Sequence, residues 1–279
     1  MAKKFENIII ASDIDGTYLG LGSRIVPRND EAIAYFKENG GSFTIATGRI
    51  PAHTLIAVPH IASLCNLPVV TVNGACLYDF KNGVELEAHP TPSELAVDLA
   101  RFVKNAFPDV GVRASTDSYM IAADTDNPLI ARDLSRLTSD FNKIVPFDGW
   151  CEYRILKLAA RGDAEQLTHV REALRKRYEG VLEISRSSAS MLDIQLVGMT
   201  KASLLQKLVK REFTDKGKSA VLCTVGDYDN DIEMHSVADI SACPENASEN
   251  VKSICKLHLC HHDKGVIADL VEYLDNSIR

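Results

Sequence analysis

Four short segments of the sequence carry side chains suited to the transfer of a phosphoryl group. They are Asp13-Ile-Asp-Gly-Thr17, Thr47-Gly-Arg49, Lys201 and Gly226-Asp-Tyr-Asp-Asn-Asp231. Asp13 and Asp227 could bring two carboxylates to one point, which is the oxygen-rich environment that Mg²⁺ prefers. Gly16 permits a tight turn whose backbone N–H groups face an anion. Together these features predict a site for a metal ion and a phosphate.

The same segments supply candidate reacting groups. Thr47 offers a hydroxyl and Lys201 a positive charge, and both suit phosphoryl oxygens. Asp13 is then the candidate nucleophile, because aspartyl-phosphate enzymes attack phosphorus with a carboxylate. Asp15 is the candidate acid that protonates the leaving oxygen and the base that later activates water. Mg²⁺ and Lys201 would offset the repulsion between this nucleophile and an anionic substrate.

The elements around these segments predict one sheet that positions them. Apolar, β-branched runs predict strands over 7–12, 42–46, 68–72, 219–225, 238–242 and 256–259, and helical patterns cover 27–39, 200–210 and 266–274. Strands that alternate with helices imply a parallel sheet with helices on both faces. Ligands of such sheets bind beyond the carboxyl ends of the strands, where three of the four segments fall. Lys201 instead opens a predicted helix.

The middle of the chain is less regular. Helical stretches over 92–106 and 164–178 alternate there with strand-like pieces such as 153–159. Both flanks of this region fit a single doubly wound core. We therefore expect a discontinuous core over 1–84 and 195–279, with an inserted cap domain over 85–194.

The order of the motifs resembles the haloacid dehalogenase-like superfamily of hydrolases, in its Cof-type phosphatase branch. The resembling segments are Asp13-x-Asp-Gly-Thr17, Ala46-Thr-Gly-Arg49, Asn73-Gly-Ala75, Gly198-Met-Thr-Lys201, Gly226-Asp-x-x-Asn-Asp231, Cys243-Pro-Glu-Asn-Ala247 and Lys264-Gly-Val266. The resemblance spans nearly the whole chain. It implies an α/β fold, with a doubly wound, Rossmann-like core sheet and an inserted α+β cap.

The resemblance also implies the ligands of the metal and the activity. Mg²⁺ would be bound by the Asp13 carboxylate, the Asp15 backbone carbonyl and the Asp227 carboxylate. The implied enzyme is a Mg²⁺-dependent phosphatase. It would hydrolyse a small phosphomonoester, such as a sugar phosphate or a related metabolite, through an aspartyl phosphate.

The remaining implied roles concern the phosphate. Thr47, Gly48, Lys201 and Asn230 would bind it, and Asp231 would orient Lys201 and metal-bound water. The sequence departs from the family pattern at Tyr18, Tyr228 and Cys243. We expect the two tyrosines to narrow the substrate pocket or to offer it a hydroxyl.

Two other functions use the same residues. A phosphomutase or phosphotransferase of the phosphomannomutase type would share Asp13 and Asp15 but pass the phosphate to a second hydroxyl. A non-catalytic phospho-acceptor module would need neither Asp15 nor a large cap. Both stay open as alternatives at this point, and the hydrolase is the favoured interpretation.

A second group of residues whose types could bind a metal ion lies near the end of the chain. It consists of Cys255, His258, Cys260, His261 and His262. Zinc sites pair their ligands at characteristic spacings, usually with a second Cys/His pair, and that pattern is missing from this sequence. A structural or exposed role is therefore the favoured interpretation.

Composition excludes several classes of protein. The 279 residues are 46% hydrophobic and 25% charged, and the formal net charge is −7, which is the mixture of an ordinary globular chain. No basic block predicts a nucleic-acid partner, and no apolar run approaches the roughly 18 residues of a membrane helix. The seven cysteines are scattered, and Ile8–Ala11 is too short for a signal peptide. We therefore expect a cytoplasmic protein that acts on a small phosphorylated molecule.

Overall fold

The computed structural model describes residues 3–135 and 139–277 and divides into two compact units. Unit 1 comprises Met1–Gly48, Thr54–Glu87 and Thr200–Arg279, and unit 2 comprises Arg49–His53 and Ala88–Met199. The predicted domain boundaries, a core of 1–84 with 195–279 and a cap of 85–194, stay a prediction, because a compact unit is not by itself an independently folding domain.

The elements of the described residues follow in chain order. The strands are β1 (Ile8–Ser12), β2 (Leu19–Gly20), β3 (Arg24–Ile25), β4 (Ser42–Ile45), β5 (Val69–Thr71), β6 (Cys76–Asp79), β7 (Val84–Ala88), β8 (Gly111–Thr116), β9 (Met120–Ala122), β10 (Asn142–Ile144), β11 (Ile155–Arg161), β12 (Leu182–Ser188), β13 (Met191–Leu196), β14 (Val221–Val225), β15 (Ile240–Pro244) and β16 (Leu257–Leu259). The helices are α1 (Pro27–Glu38), α2 (Pro51–Ala57), α3 (Ile61–Leu64), α4 (Ser93–Ala106), α5 (Pro128–Ser135), α6 (Ala164–Arg177), α7 (Lys201–Glu212), α8 (Ile232–Ser236), α9 (Glu249–Ile254) and α10 (Val266–Ser277).

The main sheet of unit 1 is parallel, with the order β16-β15-β14-β1-β4. Successive residues of its central strand β1 point to opposite faces. Ile8 and Ile10 pack into the core that includes α1 and α10, whereas Ile9 and Ala11 pack into the core that includes α7 and α8. Apolar residues at every position of a central strand are typical of a sheet covered on both faces. The prediction of a doubly wound parallel core is confirmed.

The sheet of unit 2 has the order β10-β9-β8-β11-β13-β12 and is antiparallel except where β9 meets β10. One face packs against α4 and α6 in a separate apolar core that contains Trp150, whose indole Nε1 donates to the Val145 carbonyl at 2.9 Å. Helices on one face of an antiparallel sheet make an α+β layer, so the predicted fold class of the cap is confirmed.

The length and apolar character of the helices decide whether any of them could span a membrane. None of those within 3–135 or 139–277 has both the length and the apolar character needed to cross a lipid bilayer.

Candidate active site

Strand register brings the two Asp-containing loops together. Ser12 at the end of β1 lies opposite Val225 at the end of β14. The Asp13 N–H donates to the Val225 carbonyl at 2.8 Å, which extends the pairing by one residue. Since both strands run in the same direction, Asp13 and Asp227 leave the sheet at its carboxyl edge. This is the edge at which sheets of this type bind ligands.

Gly16 lets the first loop approach Asp227 closely. Its φ is +79°, and a Cβ at this position would lie 2.4 Å from an oxygen of the Asp227 carboxylate. A larger residue would therefore be strained and would displace that carboxylate. Thr17 Oγ1 donates to Asp227 Oδ1 at 3.1 Å, and Asn246 Nδ2 donates to the Gly16 carbonyl at 2.8 Å. These bonds hold the loop in place.

Lys201 connects the nucleophile candidate with the last motif. It is the first residue of α7, whose N-cap Thr200 accepts a hydrogen bond from the Ser203 N–H at 3.1 Å. Lys201 Nζ lies 2.6 Å from Asp13 Oδ1 and 2.7 Å from Asp231 Oδ1, and its side chain is fully buried. The ammonium therefore bridges two carboxylates that are separated by 218 positions in the sequence, from 13 to 231.

Asp231 is fixed by its own loop as well as by Lys201. Its Oδ2 accepts hydrogen bonds from the backbone N–H groups of Asp227 at 3.0 Å and Tyr228 at 3.2 Å. Gly226 leaves room for this side chain, because a Cβ there would lie 2.4 Å from Asp231 Cγ. The arrangement is consistent with the predicted role of Asp231 in orienting Lys201.

The electrostatics of this cluster are unusual. Oxygens of Asp13, Asp227 and Asp231 lie within 4.8 Å of one another. Burial raises the pKa of Asp13 to about 7, and burial together with the charge of Asp13 raises that of Asp227 to about 8. Burial alone would lower the pKa of Lys201, but the two carboxylates raise it above its ordinary value. Three carboxylates face one ammonium, so the cluster favours an additional cation.

The predicted phosphate-binding residues lie in the same unit. The Thr47 N–H donates to the Val70 carbonyl at 2.8 Å, and the Thr47 carbonyl accepts from the Asn73 N–H at 2.9 Å. Asn230 Nδ2 in turn donates to Asn73 Oδ1 at 3.3 Å. Asn73 thus links the loops of Thr47 and Asn230. The predicted roles of Asp15, which is exposed, and of Gly48 in the Thr47 loop stay predictions.

Three residues that support the site were not singled out from the sequence. Thr17 and Asn246 position the Gly16 loop, and Asn73 links the two phosphate-binding loops. All three lie inside motifs that the family resemblance includes. Membership of a family motif was the signal in the sequence that could have found these residues. Their contacts could not be predicted, because they join loops that are far apart in the chain.

The expectation that Tyr18 lines the substrate pocket is wrong. Its side chain is fully buried in the core of unit 1. Its hydroxyl donates to Asp30 Oδ1 and lies 3.3 Å from His60 Nε2. The hydroxyl is therefore satisfied on α1 and offers nothing to a substrate. The corresponding expectation for Tyr228 stays a prediction.

The histidines near the end of the chain have structural partners. His262 Nδ1 lies 2.7 Å from the Leu19 carbonyl, and His258 Nε2 lies 2.9 Å from the Lys252 carbonyl. His261 and His262 do approach Asp263, but Asp263 Oδ1 accepts a hydrogen bond from the Leu21 N–H at 2.7 Å. The contacts of His262 and Asp263 connect β2 and Leu21 to the segment before α10, and that of His258 connects β16 to α9. Both are consistent with a structural role.

We expect Gly74→Ala to lower both the stability and the turnover of the protein. Gly74 has φ +95°, and a Cβ there would lie 1.9 Å from the carbonyl oxygen of Thr200, the N-cap that precedes Lys201. Gly83→Ala is the matched control, because Gly83 has φ +67° but no atom within 4 Å of its Cβ. Thermal unfolding should show Gly74→Ala at least about 2 kcal/mol less stable than Gly83→Ala. Equal stabilities would contradict this close packing.

Fold and site together define a class of hydrolases with an acidic site at the carboxyl edge of a doubly wound sheet. The chain belongs to the haloacid dehalogenase-like hydrolase family, whose sequence model matches residues 10–271. This confirms the family predicted from the order of the motifs.

The comparisons with individual proteins agree with this assignment. The chain is 27% identical to a putative phosphatase of Mycoplasma pneumoniae, with 90% of each chain covered. It is 25% identical to the pyridoxal phosphate phosphatase of Escherichia coli, with 94% of this chain and 97% of the relative covered. A solved structure from Streptococcus mutans shares the fold, with TM-score 0.83, 23% identity and coverage of 97% and 98%. Family and relatives together indicate a phosphatase.

Proposed function

We propose that this protein is a Mg²⁺-dependent phosphatase that hydrolyses small phosphomonoesters through an aspartyl phosphate on Asp13. The observation that carries the proposal is the buried cluster in which Lys201 Nζ lies 2.6 Å from Asp13 and 2.7 Å from Asp231, with Asp227 alongside. Sugar phosphates and related phosphorylated metabolites are the expected substrates, as the sequence resemblance implies.

The residues of the cluster fit a magnesium ion. Carboxylate and carbonyl oxygens are the ligands that Mg²⁺ prefers. Burial and the neighbouring carboxylates raise the pKa values of Asp13 and Asp227, and a bound cation would favour their charged forms. Asp13, the backbone carbonyl of Asp15 and Asp227 would hold the ion. When bound, it would neutralise charge on the carboxylates and on the phosphoryl oxygens.

The side chains of this site can carry out a two-step hydrolysis. Asp13 attacks phosphorus, and the ester P–O bond breaks as Asp15 donates a proton to the leaving oxygen. Asp15 then takes a proton from water, which attacks the aspartyl phosphate and releases inorganic phosphate. Lys201 holds Asp13 in position and offsets its repulsion from the anionic substrate.

Hydrogen-bond donors would hold the transferring phosphoryl group. The Thr47 hydroxyl, the Gly48 N–H and the Asn230 amide supply them at the loops that Asn73 links. Donors placed where charge develops contribute most of the electrostatic stabilisation in phosphoryl transfer.

The direct test is phosphate release from a panel of sugar and nucleotide monophosphates, measured with Mg²⁺ and with EDTA. The proposal expects free phosphate that depends on Mg²⁺ and on Asp13. Product analysis distinguishes the phosphatase from a phosphomutase, because a mutase would yield an isomeric sugar phosphate and little free phosphate. No release from any ester by folded protein would contradict the proposal.

We also expect Mg²⁺ to stabilise the protein more at pH 8 than at pH 5. The folded pKa values of Asp13 and Asp227, about 7 and about 8, lie above the ordinary 3.8, so folding favours their protonated forms. The stability that they contribute is present below pH 4 and is lost as the pH rises to about 8. Mg²⁺ then takes the place of the protons. At a concentration of 100 times its Kd, it adds about 2.7 kcal/mol to the free energy of unfolding.

Differential scanning fluorimetry with and without Mg²⁺ measures this effect. Asp227→Asn should reduce the Mg²⁺-dependent shift in Tm, whereas Asp215→Asn, at an exposed residue paired with Lys210, should not. A shift that is independent of pH, or unchanged in Asp227→Asn, would argue against metal binding at this cluster.

A further inference from the structure

The turn before α10 brings together three possible metal ligands that the active site does not use. A ring nitrogen of His261, a ring nitrogen of His262 and a carboxylate oxygen of Asp263 lie within 4.8 Å of one another. All three residues belong to unit 1. Two imidazoles and one carboxylate suit Zn²⁺, whereas Mg²⁺ prefers oxygen ligands alone. The donors of this turn therefore differ in kind from those of the acidic cluster.

The number of these ligands fits an open zinc site. Closed structural sites have four protein ligands, which is why zinc sequences usually contain a second Cys/His pair. Open sites have three protein ligands, and a water molecule completes the coordination. The missing second pair therefore excludes only the closed type of site.

His262 has the orientation and the protonation state of a metal ligand. Its Nδ1 lies 2.7 Å from the carbonyl oxygen of Leu19. Because a carbonyl oxygen only accepts, Nδ1 carries the proton and the lone pair of the neutral ring is on Nε2. No hydrogen bond within the described residues engages Nε2, and the residue is only 8% exposed. Histidines that bind metals usually donate their other N–H to a carbonyl or a carboxylate in this way.

His261 and Asp263 present two acceptor atoms to each other. His261 Nδ1 accepts a hydrogen bond from the Asp263 N–H at 3.4 Å, and the same nitrogen lies 3.5 Å from Asp263 Oδ2. Asp263 Oδ1 accepts from the Leu21 N–H at 2.7 Å, which fixes the carboxylate. Two acceptors at this distance repel each other unless a proton or a cation lies between them. Two ligands of a tetrahedral Zn²⁺, each about 2.1 Å from the ion, would be about 3.4 Å apart.

Hydrogen bonds connect this turn with the first active-site loop. The backbone of Leu19, which His262 contacts, forms a β-bridge with that of Asp15. The His262 N–H donates to Asn246 Oδ1 at 3.1 Å, and Asn246 Nδ2 donates to the Gly16 carbonyl at 2.8 Å. An ion that holds His262 would therefore also restrain the loop that contains Asp15 and Gly16.

We propose that His261, His262 and Asp263 bind one Zn²⁺ ion that fastens strand β2 to the turn before α10. A water molecule completes the coordination. The ion stabilises this part of unit 1 and reaches the active-site loop only through hydrogen bonds. The proposal goes beyond the phosphatase activity and does not depend on it.

Zn²⁺ binding, measured by competition with a chromogenic chelator, tests the site directly. The wild type and Asp227→Asn are both measured, so that Zn²⁺ at the acidic cluster is not counted, and Asp227→Asn should still bind one ion. Adding His262→Asn should weaken this binding at least about 100-fold. The Asn amide can still donate to the Leu19 carbonyl but has no second ring nitrogen. His169→Gln, at an exposed residue of α6, is the matched control and should leave the binding unchanged.

A second ligand variant guards against misfolding of the first. His261→Gln changes a side chain that is about one-third exposed, so the fold should tolerate it. It should also weaken Zn²⁺ binding at least about tenfold. Zn²⁺ binding that survives both ligand variants, or that is lost in Asp227→Asn, would overturn the proposal.

Amide hydrogen exchange of the wild type tests whether the ion fastens β2. At about 100 times the Kd of Zn²⁺, exchange of the Leu21 N–H, which donates to Asp263 Oδ1, should slow by more than about tenfold. The same addition should not slow it in His262→Asn. Zn²⁺ at the acidic cluster would act on both proteins, so the difference reports the ion at the turn. Equal exchange with and without Zn²⁺ in the wild type would contradict the proposed fastening.

Discussion

Asp13→Asn should abolish phosphate release while leaving the protein folded. The amide oxygen of asparagine is a poor nucleophile, and loss of a covalent nucleophile typically lowers kcat by at least about 10⁴-fold. Burial dominates the raised pKa of Asp13, so its charged form is costly in the folded protein. Removing that charge should leave the Tm of the Mg²⁺-free protein at pH 8 unchanged or higher. Asp13→Asn should therefore abolish activity without lowering the stability of the Mg²⁺-free protein.

Phosphate release and thermal unfolding of the same preparation check this prediction. Asp215→Asn makes the same chemical change at an exposed residue and should alter neither quantity. Residual turnover within tenfold of the wild type would contradict the role of Asp13 as nucleophile. A large loss of stability would instead show that the Asp13 carboxylate is needed for folding.

The position of the site could be predicted from the sequence because it depends on strand ends. Asp13 and Asp227 each come shortly after a run of apolar, β-branched residues that predicts a buried strand, and parallel strands end at a common edge. Lys201 was predicted from its place in the motif order alone. The register of β1 with β14 brings Asp13 and Asp227 together, and Lys201 joins them from the start of α7, with its Nζ 2.6 Å from Asp13 Oδ1.

The hydrogen bonds that position the loops of the site could not be predicted, because they depend on how distant loops approach one another in the folded chain. Asn246 reaches the Gly16 carbonyl across 230 positions of the sequence, and no local pattern records that contact. Tyr18 shows the reverse error. Its departure from the family pattern suggested a place in the pocket, but the buried side chain extends to Asp30 and His60 instead.

The burial of the charged side chains of β11 could not be predicted from the sequence, for a different reason. Lys157 and Arg161 alternate with apolar residues along β11, and such a pattern normally predicts one face in the core and one in water. Both residues are in fact less than 5% exposed. The pattern therefore gives the strand correctly, but only the three-dimensional structure reveals that its polar face is buried.

Lys201→Met should be strongly destabilising as well as inactivating. The Lys201 side chain is fully buried between Asp13 and Asp231, and Met would fill a similar volume without a charge. Removing one partner of a buried ionic group costs about 3–5 kcal/mol, because the remaining charges are uncompensated. Turnover should fall by about 10³-fold or more, since the substrate would meet three carboxylates without their ammonium. Lys210→Met, on the exposed side of α7, should have little effect on either quantity.

A double variant separates electrostatics from packing in this loss of stability. If Lys201 acts by neutralising charge, Lys201→Met with Asp13→Asn should recover part of the stability lost in Lys201→Met, because one uncompensated carboxylate is gone. The double variant should remain inactive, since the nucleophile is still missing. Urea unfolding of the four proteins in this cycle, without Mg²⁺ at pH 8, measures the coupling free energy. Additive losses would show that the buried side chain stabilises the fold through packing, and that the charge of Lys201 matters only for the reaction.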